Sequence, residues 1–224
     1  MTMRARALGA SLAFLLLAVA PPAKAGVNLI QNGSFELGTF DSAPFDTLSN
    51  GSTAITAWTV GGNSIDWIGT YWQPGDGSRS LDLSGLGLGS VSQTFKTVVG
   101  QTYTVGFVMS GNPDGGPNPK TLDVTVDGFD FTFNPASGPS RSNMNWTPGS
   151  FSFIANAPSS TLTFASTTCA TGGDNACAFG AALDKVSVSA VPELSTWVMM
   201  LLGFAGIGFV AYRRAQKAAV IETV

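Results

Sequence analysis

Histidine is absent from all 224 residues. Its absence excludes Ser-His-Asp and Cys-His nucleophilic catalysis, which need an imidazole base, and removes the commonest ligand of transition-metal sites. Charge is scarce too, at 11% of the chain, and amphipathic patterns long enough for extended soluble helices are missing. Between Gly26 and Pro192 five basic residues (Arg79, Lys96, Lys120, Arg141, Lys185) face twelve aspartates and glutamates, a net charge near −7. A surface of that sign repels a phosphate backbone, so nucleic acid is excluded as a partner. It is compatible with divalent cations or neutral glycans, and equally with acidity that serves only solubility.

Cysteine is nearly absent. The two that occur, Cys169 and Cys177, flank a loop containing Gly172, Gly173 and Asp174. In an exported chain so close a pair is expected to form a disulfide, with two free thiols as the alternative.

What is abundant is glycine, 27 residues, with Ser, Thr, Asn and Phe dense in the middle of the chain. Short alternating or β-branched segments recur there between turn signals: Ile55 to Val60, Ser64 to Ile68, Ser80 to Leu83, Ser90 to Phe95, Thr102 to Met109, Thr121 to Val126, Phe129 to Phe133, Ser150 to Ile154, Thr161 to Ala165 and Ala182 to Val188. Roughly ten short strands predict an all-β sandwich over residues 26–190, one domain's worth of chain. Asp127-Gly128 between Val126 and Phe129 predicts a two-residue hairpin turn, and the Gly- and Pro-rich segment Ser110 to Lys120 a mobile loop.

The ends differ from the middle. Arg4 and Arg6 precede an apolar run from Leu8 to Ala20, and Ala23-Lys24-Ala25 supplies small residues at a cleavage site. Residues 1–25 are therefore expected to be a signal peptide with a helical apolar stretch. At the C-terminus the uncharged stretch from Leu194 to Tyr212, followed by Arg213, Arg214 and Lys217, is just long enough for one transmembrane helix. The basic residues predict that residues 215–224 stay cytoplasmic and that the β domain lies outside the inner membrane, on the periplasmic or extracellular side. A plain single-pass anchor that is never cut is the alternative to sorting.

Val191-Pro192-Glu193, the apolar helix and Arg213-Arg214 over residues 191–214 resemble the PEP-CTERM sorting signal of bacterial exported proteins, with Leu194 where that family has a second proline. The resemblance implies an exosortase-type processing enzyme and the membrane as partners, with an extracellular polysaccharide layer as destination. The ectodomain carries its own resemblance. Asn28-Leu29-Ile30-Gln31-Asn32-Gly33-Ser34-Phe35-Glu36, Ser64 to Trp72, Gly77 to Leu83 and Ala182 to Val188 look like the choice-of-anchor C domain, which is similar to DUF642 and galactose-binding-like jelly rolls. The expected fold is thus a jelly-roll β-sandwich.

In such jelly rolls the opening Asn-Gly-x-Phe-Glu and the closing Leu-Asp segments often meet around a structural calcium. The resemblance makes Glu36 and Asp184 the candidate ligands, completed by backbone carbonyls, the alternative being that both simply accept backbone hydrogen bonds. Trp67, Tyr71 and Trp72, with Asp76 and Arg79 nearby, are candidates for an aromatic platform on which a sugar stacks, against core packing as the alternative. Asp66, Asp76, Asp82 and Glu36 contain enough carboxylates for a glycosidase pair, but no motif singles one out, so no catalytic residues are assigned. A non-enzymatic surface or matrix protein is the leading expectation, and a carbohydrate-binding module the second.

Overall fold

The computed structural model describes residues 26–41, 43–134, 139–169, 177–192 and 194–221, with the side chains of 194–199 and 215–221 excepted. The expected signal peptide and Glu193 of the sorting motif lie outside the described residues.

Among the described residues, eleven strands form two antiparallel sheets. One has the order β1 (Phe45–Ser49), β3 (Ser64–Ile68), β4 (Ser80–Asp82), β11 (Ala181–Ala190), β6 (Thr102–Gly111), β9 (Thr147–Ile154). The other runs β2 (Thr59–Gly62), β5 (Gly89–Lys96), β10 (Ser159–Ser166), β7 (Leu122–Val126), β8 (Phe129–Phe133). Alternation along the strands makes the core, because successive side chains point to opposite faces. In β5 Val91, Gln93 and Phe95 point inward, and β10 answers with Ser160, Leu162 and Phe164. The facing sheet supplies Ile65, Trp67, Leu81, Leu183, Val105, Phe107, Phe151 and Phe153.

The strand pattern read from the sequence matches this closely, with two differences. Strand β1 was not expected, since Phe45-Asp46-Thr47-Leu48-Ser49 has a single fully aliphatic residue and lies at the sheet edge, where only β3 pairs with it. Residues 55–58 were expected to be strand but form a turn, with Ala57 at a φ of 70° and only an isolated bridge between Ile55 and Gly38. Burial of Ile55 and Trp58, not strand pairing, explains their apolar character.

The opening segment packs along β11. Leu29 N–H donates to the Val188 carbonyl at 2.8 Å and Val186 N–H to the Gly33 carbonyl at 2.8 Å. Beside these contacts β11 bulges, its register shifting between Asp184 and Ser187 with Lys185 at a φ of 53°. Gly33 is required here, because a Cβ would sit 2.0 Å from the Val186 carbonyl oxygen. The indole of Trp67 is buried under this segment and donates to the Phe35 carbonyl at 3.0 Å, while Trp58 donates to Asn32 at 3.0 Å.

The sandwich is followed by a helix, α1 (Leu194–Ile221), in which Leu201, Leu202, Phe204, Ile207 and Phe209 are exposed. The expected membrane span falls within it. Among the described residues no helix is long and apolar enough to cross a membrane.

Candidate functional site

On the outer face of the first sheet, register brings one row of side chains together: Thr47 opposite Asp66, Asp66 opposite Asp82, Asp82 opposite Ala182 and Ala182 opposite Ser110. Beside this row lies a second, smaller apolar cluster of Ile68, Trp72, Met144 and Ala182, flanked by Phe45, Tyr71 and Trp146. A half-open cleft of about 240 Å³ lies over the row and the cluster, its lining including Phe45, Asp66, Tyr71, Asp82, Asn112 and Phe179.

The walls of the cleft come from three loops. Asn112, in the Gly- and Pro-rich loop, is buried and donates from its amide to Asp82 Oδ2 at 2.6 Å, while its Oδ1 accepts Asp114 N–H at 2.9 Å. Phe179 follows Cys177, whose disulfide to Cys169 is formed with a Cα–Cα distance of 4.3 Å. The Phe179 ring rests on Gly115, where a Cβ would come within 2.2 Å of it, so this glycine permits two walls to meet. The third wall is the Gly85-Leu86 turn after β4.

Arg141 organises the rim. Its guanidinium lies 4.1 Å from the Tyr71 ring centre, donates to the Tyr71 hydroxyl at 2.6 Å and pairs with Asp114 at 2.9 Å. Burial raises the Tyr71 hydroxyl pKa, and the Asp114 carboxylate pushes it the same way.

The two facing carboxyls differ. Asp82 is wholly buried, and burial pushes its pKa up to about 8 in spite of the Asn112 amide and the N–H groups of Ser84 (3.0 Å) and Gly180 (3.1 Å), with Asp66 adding repulsion. Asp66 is only partly buried. Burial raises its pKa as well, the Thr47 hydroxyl at 2.6 Å opposing. Oδ1 of Asp66 takes that hydroxyl, and among the described residues no donor reaches Oδ2. Next to Asp82 lies Ser84, the one residue among those described whose buried side-chain polar atom lacks a hydrogen-bond partner. Lys120 is buried behind Phe179, donates to the Gly115 carbonyl at 2.6 Å, and has its pKa lowered by burial.

Of the expected platform residues, Tyr71 and Trp72 reach the cleft. Trp67 is fully buried on the opposite, inner face, so it offers no stacking surface; its alternation with Ile65 placed it in the core. Trp72 is only 4% exposed and donates to Ser80 Oγ at 2.8 Å, which makes it a support for Tyr71 rather than an open platform. Arg79 stacks on Phe40 at 3.7 Å, and Asp76 accepts the Ser34 hydroxyl at 2.6 Å; neither lines the cleft.

Glu36 and Asp184 clamp one loop, residues 75–79, instead of forming a calcium shell. Glu36 Oε1 accepts the N–H groups of Ser78 and Arg79 at 2.8 and 2.9 Å, and Oε2 the Ser78 hydroxyl at 2.6 Å. Asp184 Oδ2 accepts Gly75 and Asp76 N–H at 2.9 and 2.8 Å, and Oδ1 accepts Lys185 N–H at 2.6 Å. Calcium needs six to eight oxygens aimed at it, whereas these carboxylates face N–H and O–H groups whose hydrogens would meet the cation. Among the described residues no group of three or more His, Cys, Asp or Glu is placed to hold a metal. Burial pushes the Asp184 pKa up to about 7 against its three backbone donors.

Phe45, Asn112, Asp114, Arg141 and Phe179 were not singled out from the sequence. The signal available was the Asn112-Pro113-Asp114 run, which the sequence presents only as turn chemistry within a mobile loop. Arg141 and Phe179 lie in segments with no motif at all.

The fold and site define an antiparallel β-sandwich with a cleft on the outer face of one sheet. Residues 28–189 match the family described as "Protein of unknown function (DUF642)", and the chain belongs to that family. A segment of 89 residues is 42% identical to Halomucin of Haloquadratum walsbyi (strain DSM 16790 / HBSQ001), covering 38% of this chain and 1% of that protein. Among solved structures, the sandwich is similar to TmCBM61 in complex with beta-1,4-galactotriose, with 15% identity, a TM-score of 0.43, and 73% and 99% of the two chains covered. It is also similar to the CBM22-1 xylan-binding domain of Paenibacillus barcinonensis Xyn10C, with 18% identity, a TM-score of 0.42, and 76% and 99% covered.

Proposed function

We propose that this protein is a non-enzymatic carbohydrate-binding module of an exported surface protein, with the outer-face cleft as its glycan site. The observation that carries this reading is the juxtaposition in one cleft of the rings of Phe45, Tyr71 and Phe179 with the polar groups of Asp66, Asp82 and Asn112. A sugar offers apolar C–H faces and a rim of hydroxyls, and a site for it combines aromatic walls with a few fixed hydrogen-bonding groups. Titrating the full chain with soluble polysaccharides, followed by tryptophan fluorescence and calorimetry, tests the reading. Binding that is lost in Tyr71→Ala with the fold retained supports it, and release of reducing sugar from a polysaccharide would overturn the non-enzymatic part.

A second feature supports the exported setting. Among the described side chains of α1 the exposed apolar residues run to Tyr212 and are followed by Arg213 and Arg214, the order that the PEP-CTERM resemblance expects of an exosortase-handled tail. Val191 and Pro192 precede the helix as an exposed connection. Mass spectrometry of protein released from cells is the check: a C-terminus before Leu194 supports sorting, and one beyond Tyr212 in all released material overturns it.

A further inference from the structure

We infer that the cleft takes one neutral sugar unit and rejects uronates, an inference that rests on the carbohydrate-binding reading above. The first ground is the hydrogen-bonding character of the lining. Asp66, Asp82 and Asp114 line the cleft, and no lysine or arginine does. The nearest guanidinium, Arg141, is already committed to Asp114 and to the Tyr71 hydroxyl, and the Lys120 ammonium is buried and donates to the Gly115 carbonyl. A uronate carboxylate entering here meets the Asp66 carboxylate, and among the described residues no free cation lines the cleft to receive it. A neutral sugar brings hydroxyl hydrogens, which suit Asp66 Oδ2, a cleft oxygen to which no group among the described residues donates.

A second ground is size. At about 240 Å³ the cleft falls below the roughly 300 Å³ at which pockets for drug-sized ligands begin. It therefore accommodates one ring, with the rest of a chain running out over the open side.

The test is calorimetric titration of the full chain with a neutral galactan or glucan and, separately, with polygalacturonate at matched ionic strength. The expected result is saturable binding of a neutral polymer with polygalacturonate at least tenfold weaker, and a smaller ratio in Asp66→Asn, in which the repelling charge is gone. Equal or tighter binding of polygalacturonate overturns the inference while leaving carbohydrate binding in place. Binding of neither polymer by folded protein overturns both.

Discussion

Asp66 and Asp82 stand directly opposite each other on β3 and β4, two carboxyls on one face of the sheet with their strands hydrogen-bonded. Like charges in that arrangement are destabilising, and burial of Asp82 adds to the cost of ionising both. The pair persists because Asp82 holds its proton up to a pH of about 8.

The sign of the pH dependence follows. A carboxyl whose folded pKa is raised binds its proton more tightly in the folded than in the unfolded chain, so stability is fullest below the unfolded pKa of about 3.9 and falls as pH rises toward the folded value. Asp82 (about 8) and Asp184 (about 7) both act in this direction. Urea unfolding monitored by tryptophan fluorescence is expected to give a higher midpoint at pH 5 than at pH 8. The opposite order would show that the two carboxyls are ionised in the folded state.

Around the cleft, Tyr71→Ala removes a half-buried ring that touches Phe45 and Trp72 and loses the Arg141 contact. Glycan affinity is expected to fall by about 1 kcal/mol or more, with modest loss of stability. Trp72→Ala should behave differently. It empties a buried site and should cost about 3 to 5 kcal/mol of stability, read as a drop in melting temperature whether or not glycan is present.

The loop clamp gives a third expectation. Because Glu36 and Asp184 are satisfied by N–H and O–H donors, calcium and a chelator should leave the melting temperature unchanged. Glu36→Ala should still destabilise the fold, by about 1 kcal/mol, through the orphaned amides of Ser78 and Arg79. A melting temperature raised by calcium would show that the carboxylates turn toward a metal.

Reduction of the Cys169–Cys177 bond, or Cys169→Ser with Cys177→Ser, should cost about 2 to 3 kcal/mol by the chain-entropy argument for a short closed loop. Since Phe179 lies two residues beyond Cys177 and forms a cleft wall, glycan affinity should weaken with it. Denaturation midpoints and titrations with and without reductant measure the two effects separately.

Gly33→Ala probes the junction between the two ends of the domain. With a Cβ 2.0 Å from the Val186 carbonyl oxygen, the opening segment must lift off the β11 bulge, and a loss of more than about 2 kcal/mol is expected in thermal unfolding.

Local chemistry made most of this fold legible before any tertiary contact was known. Alternation of side chains located β3, β5 to β8, β10 and β11 within a residue or two, and Asp127-Gly128 marked the hairpin between β7 and β8, because both signals are properties of neighbouring residues. The absence of histidine likewise settled the exclusion of imidazole catalysis without reference to structure. Which aromatic borders the cleft was not local. Trp67 and Tyr71 are four residues apart, yet one is sealed beneath Phe35 and the other borders the cleft, since the chain leaves β3 after Ile68 and turns back over the outer face. The pairing of Asp66 with Asp82, the meeting of Asn112 with Asp82 and of Phe179 with Gly115, and the capture of Glu36 and Asp184 by one loop join residues up to 109 positions apart. Sequence determined the strands and the charge balance; strand register and loop packing decided which polar groups share a cleft, because only the assembled sheets bring distant carboxyls and amides within bonding distance.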